Sequence, residues 1–112
     1  MKKSEQRAIN RQVLSTYNDM ARIVRINSMN PDIPYKRLRS CSATVYKLDP
    51  YIILKSYNTI IACIDTRTDT LYDFLRYVYG YTTTSAQHIA KFDHDFGAGT
   101  YGCAHRLTYR EV

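Results

Sequence analysis

The chain has no tryptophan, only three cysteines, no apolar run long enough to cross a bilayer, and only three acids in its first forty residues. Each scarcity excludes something. Cys41, Cys63 and Cys103 cannot all pair within the chain and sit in no C-x-x-C spacing, so a disulfide framework is not expected and reduced, mostly buried thiols are. The longest apolar runs, residues 51–54 and 60–64, fall far short of the roughly 20 residues that span a membrane. The opening Met1-Lys2-Lys3-Ser4-Glu5 leads into a charged segment and not an apolar h-region, so no signal peptide is expected and the reading is cytoplasmic, in a bacterial host. There are no internal repeats and no low-complexity stretch.

What is present is one domain, residues 1–112, long enough to bury a core without staples. A hydrophobic content of 45% excludes wholesale disorder. The charge is unevenly spread. Residues 1–40 hold nine basic groups against three acids, which is all of the chain's +6, and residues 41–112 balance. A field over one surface attracts polyanions. Tyrosine is over-used, with eleven residues, and strands favour it.

Residues 4–26 read as a helix capped by Ser4, since neither Gly nor Pro occurs before Pro31. Ile9, Val13, Tyr17, Met20, Ile23 and Val24 fall on one arc of about 120°. Arg7, Arg11, Arg22 and Arg25 fall on an opposite arc of about 60°, with Glu5 and Asp19 outside it and Leu14 as its one apolar intruder. Residues 27–34 read as a loop, because Pro31 and Pro34 disfavour helix. Lys36, Arg37 and Arg39 follow it. Strands are expected over 42–48, 51–56, 59–65 and 71–79, the last ended by Gly80. Thr84 and Gln87 suggest a capping box opening a helix over 85–96, which Gly97 would end in the left-handed conformation. The tail, residues 100–110, can add an edge strand. The fold class is therefore α+β: a small antiparallel β-meander packed by an N-terminal amphipathic helix and a second helix near the C-terminus. A basic helical segment, 1–40, precedes a sheet-plus-helix body, 41–112. The edge of such a sheet is compatible with a homodimer without predicting one.

Three possible chemical signals fail on context. Gly97-Ala98-Gly99-Thr100-Tyr101-Gly102 is a literal G-x-G-x-x-G, but a helix precedes it and only ten residues follow, so a flexible connector is the better reading. His88, Asp93, His94, Asp95, Cys103 and His105 cluster without zinc spacing, so no metal is expected. No nucleophile elbow, P-loop or H-E-x-x-H occurs, so the chain is read as a non-enzyme without a cofactor.

Ser56-Tyr57-Asn58-Thr59-Ile60-Ile61-Ala62, with Tyr81-Thr82-Thr83-Thr84-Ser85-Ala86-Gln87-His88-Ile89 and Phe92, resembles a family of small proteins of phages and mobile elements of Firmicutes. The likeness covers about residues 42–92 and departs at Thr82 and Gln87, where the family tends to have Ser and Arg. It implies a meander-plus-helix fold and a mobile-element origin, and no particular activity. Analogy with other small proteins of such elements suggests an inhibitor of a host nucleic-acid-handling machine, with an anti-CRISPR inhibitor of an effector nuclease as the leading form. The alternative is an accessory protein that binds DNA or RNA directly. In either case the residues expected to meet the partner are Arg7, Arg11, Arg22, Arg25, Lys36, Arg37 and Arg39, because the guanidinium fork matches phosphate and carboxylate oxygens.

Overall fold

A computed structural model describes residues 2–27, 35–37, 43–57, 59–79 and 83–112. Cys41, most of the expected loop over 27–34 and the Gly80 strand end lie outside them. The elements run α1 (Lys3–Asn27), β1 (Tyr35–Arg37), β2 (Ala43–Leu48), β3 (Tyr51–Ser56), β4 (Thr59–Asp65), β5 (Thr70–Asp73), α2 (Leu75–Val78), α3 (Thr83–Phe96) and β6 (His105–Thr108). The six strands form one sheet in sequence order. The first five make the antiparallel meander, and β6 joins β5 in parallel after the α2–α3 crossover. The fold is α+β, as expected, with a parallel edge that the meander pattern did not announce.

The sheet is covered on both faces. Val13 and Met20 of α1, both fully buried, pack on Ile53, Ile60, Cys63, Tyr72 and Phe74. Ile9, Tyr17, Ile23 and Val24 border that cluster, so the whole expected apolar arc is used. On the other face, Ile89 and Phe92 of α3 pack on Val45, Leu54, Ala62, Ile64 and Leu71. Strand alternation sends neighbouring side chains to opposite faces. Ile60 and Cys63 accordingly meet α1, while Ala62 and Ile64 meet the α3 layer. A bulge reconciles the two sides of Ile61. Lys55 pairs with Ile60 and Leu54 with Ala62, leaving Ile61 as the extra residue.

Three local expectations change. The strand expected over 71–79 stops at Asp73, whose Oδ1 accepts the Leu75 amide at 3.0 Å, and α2 begins there. Phe74 N–H bonds back to Ile61 O, which closes the ladder. Tyr77, Val78 and Tyr79 look like strand residues, but this Asp-centred turn outweighs their propensity. Second, α3 starts at Thr83, which puts Thr84 in its first turn and not at the cap. Third, Gly97 does not take the left-handed conformation; positive φ belongs to Gly102, at 139°. Gly97 is required for close approach: a Cβ there would lie 2.3 Å from the Cys103 nitrogen.

Two amides on the buried side of α1 tie it to the C-terminal strand. Gln6 Nε2 donates to Asn10 Oδ1 (2.8 Å) and to Thr108 O (3.0 Å). Asn10 Nδ2 donates to Arg110 O (2.6 Å), and its Oδ1 accepts the Arg110 N–H (3.1 Å). The Asn10 side chain thereby pairs Arg110 as a neighbouring strand would. Asn10→Ala should lower stability by about 1–2 kcal/mol in urea unfolding, because it orphans both groups. Arg11→Ala, one position on and exposed, should change it by under about 0.5 kcal/mol.

Candidate nucleic-acid interface

Arg7, Arg11, Arg22 and Arg25 are all exposed on α1. They do not act as one stripe. Eighteen residues of helix set Arg7 and Arg25 about 27 Å apart. Arg22 is ion-paired with Asp19 at 3.1 Å, so an acid that lies outside the basic arc still reaches it across one helical turn. Lys36 and Arg37 lie on β1, at the sheet edge opposite β6, and Arg39 lies outside the described residues. Arg7 and Arg11 flank Asn10, which holds the β6 edge. Five strand spacings, about 24 Å, separate β6 from β1.

In place of one stripe, the register polarises the body of the chain. The β2–β3 turn, the β4–β5 turn and the start of β6 share one end of the sheet; the β3–β4 turn and the last residues of β5 and β6 share the other. At the first end lie Asp49, Asp65, Asp69, Asp93 and Asp95, against Lys47, Arg67 and Lys91. At the second lie Lys55, Arg76 and Arg110, together with Asp73, to which the Arg106 side chain reaches along β6. The balanced charge of residues 41–112 is thus a separated charge. Both halves of α1 touch the positive end. Gln6 and Asn10 meet residues 108 and 110, while Arg25 shares a shallow pocket with Lys55, Thr59 and Ile60.

At the positive end a cleft of about 370 Å³ is lined by Arg76, Arg106 and Arg110, with Gln6, Ile9 and Asp73 beside them. Arg106 Nη2 donates to Asp73 Oδ2 at 2.9 Å, and the Asp73 carboxylate is 9% exposed. That pair anchors one guanidinium in a fixed direction. Sequence reasoning missed these arginines because they come from a charge-neutral stretch. Only the parallel docking of β6 on β5 brings positions 76, 106 and 110 together.

The glycine loop is closed to phosphate and is not a flexible connector. Asp69, in the left-handed region at φ 48°, accepts the Ala98 amide at Oδ1 (2.9 Å) and the Ala104 amide at Oδ2 (2.7 Å). Asp93 Oδ1 accepts the Cys103 amide at 2.7 Å. The Asp69 and Asp93 carboxylates thus take the amides of Ala98, Cys103 and Ala104, and their negative charge beside the loop opposes an anion there. A Cβ on Gly102 would meet the Asp93 carboxylate at 2.6 Å. Among the described residues no group of three His, Cys, Asp or Glu is placed to hold a metal. Burial, with Asp65 nearby, pushes the Cys63 thiol up, and burial with the Asp93 hydrogen bond does the same for Cys103. Both therefore stay protonated thiols, which are poor nucleophiles. No described helix is long and apolar enough to cross a membrane.

Comparison with protein-family models, curated proteins and solved structures gives no match to this chain. Its function is therefore argued from its own residues.

The amide bonds from Ala98 and Ala104 hold the Asp69 carboxyl below the usual carboxylate range. A carboxyl depressed in the folded state adds stability above its unfolded pKa of about 4, and that stability is lost as pH falls through the folded value. Asp69→Asn should therefore lower the melting temperature at pH 6 and flatten its decline between pH 5 and 2.5. An unchanged acid limb in thermal scans would remove Asp69 from the account.

Proposed function

We propose that this protein is a non-enzymatic binding module that lays its positive end on nucleic acid, free or held in a host nucleic-acid-handling machine. The observation that carries the reading is the gathering of Arg76, Arg106 and Arg110 around one cleft, with the first turns of α1, which carry Arg7 and Arg11, fastened beside it through Gln6 and Asn10, while five carboxylates gather at the far end. Charge separated in this way orients the molecule as it approaches a polyanion. Arginine is suited to that contact because its planar fork donates to two phosphate oxygens at once. The leading form of the reading is inhibition of a CRISPR effector nuclease, in which guide RNA or target DNA supplies the phosphates. Small size, the mobile-element resemblance and the basic face support it.

The test is fluorescence anisotropy with labelled single-stranded DNA, duplex DNA and RNA, from low to near-physiological salt. Each phosphate neutralised contributes about −0.9 to the log–log salt slope on duplex and about −0.7 on single strands. Changing Arg7, Arg11, Arg76 and Arg110 together to Ala should reduce the slope by about three and leave the circular dichroism intact. Changing Arg22 alone, which is already paired with Asp19, should reduce it by much less than one. A guide-loaded nuclease that cleaves at full rate under excess protein would remove the inhibitor form. Absence of binding to any of the three probes at low salt would remove the direct form.

A further inference from the structure

Tyr101, in the glycine loop at the acidic end, is 91% exposed and stands alone; two groups of tyrosines stand elsewhere. Tyr46, Tyr51 and Tyr72 lie on strands and fill the α1 face, as β propensity explains. Tyr57, Tyr77 and Tyr79 lie off the strands and are 69%, 47% and 42% exposed. All three are at the positive end. Tyr57 is in the β3–β4 turn, Tyr77 is next to Arg76 of the cleft, and Tyr79 Oη donates to Ser56 O at 3.3 Å. The short path of residues 74–79 runs from the arginine cleft to the Tyr57 turn, and Lys55 and Arg25 lie on the flank of that hairpin.

Tyr79 is held through its hydroxyl and Tyr77 through its ring. Tyr77 stands edge-to-face on Tyr17 (centroids 5.4 Å apart) and on Tyr109 (5.5 Å), and Tyr17 stands so on Phe74 (5.2 Å). Tyr57 has φ 53°. Two-residue hairpin turns favour positive φ, but they take Asn, Asp or Gly there, and a bulky side chain is disfavoured. The molecule thus bears local strain to display an aromatic ring that it does not bury. Such outliers collect at binding sites.

We infer that the polyanion is single-stranded, with unpaired bases stacking on Tyr57, Tyr77 and Tyr79 while phosphates lie against Arg76, Arg106 and Arg110. The inference rests on the nucleic-acid reading above and deepens it. Fixed aromatic faces beside a basic groove are what a single strand needs, because every base offers a π-face. A duplex keeps its bases stacked inside and gains nothing from the tyrosines.

The experiment compares the full chain with Tyr57→Asn, using a labelled oligo-dT, its abasic counterpart of equal length, and a duplex of equal length, over one common salt series that starts at low salt. Oligo-dT should bind at least about tenfold tighter than the other two, the scale of one stacked base. Tyr57→Asn should weaken oligo-dT binding by about tenfold, leave the salt slope unchanged, and keep or raise the melting temperature because Asn suits the turn. Tyr77→Leu gives a second readout on the same probes, with the expected loss confined to oligo-dT. Equal affinity for the three probes, or a Tyr57→Asn protein that binds as the parent does, overturns the stacking inference and leaves the electrostatic reading standing. Failure of all three probes at low salt overturns the stacking inference together with the direct form of the nucleic-acid reading.

Discussion

Strand β4 is buried from Ile60 to Asp65, and this sets the rest of the structure. A strand with apolar side chains on both faces has to be covered twice. Burying such side chains is worth about 1.5–3 kcal/mol each, and no single helix can reach both faces. Helix α1 covers one face and α3 the other. Once α3 is placed there, the chain leaves β5 on one side of the sheet and must cross back along its length. It therefore re-enters at the edge in parallel as β6, where a hairpin would have entered antiparallel. The α1 layer then finds β6 beside its first two turns, and Gln6 and Asn10 fasten it. The Arg76–Arg106–Arg110 cleft is a by-product of that closure.

The elements that could be read from the sequence had a single strong signal. Residues 3–27 have an uninterrupted 3.6-residue apolar period, and β3 and β4 are Ile-rich runs bounded by Asp49-Pro50 and split by a short turn; β2 had a weaker signal, resting on Thr44, Val45 and Tyr46 alone. The segment after β5 had two competing signals, and the tyrosines hid the turn that Asp73 makes with the Leu75 amide. Gln6 and Asn10 were invisible for a different reason. A polar side chain on a helix is normally solvated, and only a backbone arriving from a hundred residues away makes burying it favourable. β1 is three residues long and has no pattern to read.

Charge shows the same division more sharply. The excess over residues 1–40 was legible by counting, and the four arginines it pointed to are exposed on α1, but they are spread along the helix, Asp19 pairs with Arg22, and Lys36 and Arg37 fall at the far edge. The polarity of the remaining residues was not legible, because it is a property of register. Asp65 and Asp73 are eight positions apart yet lie at opposite ends of the sheet, while Arg76 and Arg106 are thirty apart and share a cleft.

Four of the five acids at the far end have structural partners. Asp65 is bound by Arg67 at 2.8 Å, Asp69 and Asp93 hold the amides of the glycine loop, and Asp95 meets Lys91 at 3.1 Å. A compact loop built from so many backbone donors needs carboxylates, and carboxylates repel a polyanion. The sheet reconciles the two needs by distance. β4 has seven residues and separates its ends by about 20 Å, more than twice the screening length of about 8 Å at physiological salt. Beyond that length the loop's negative charge has little effect at Arg76 or Arg110. The loop clamp and the basic end therefore coexist on a chain of 112 residues without opposing each other.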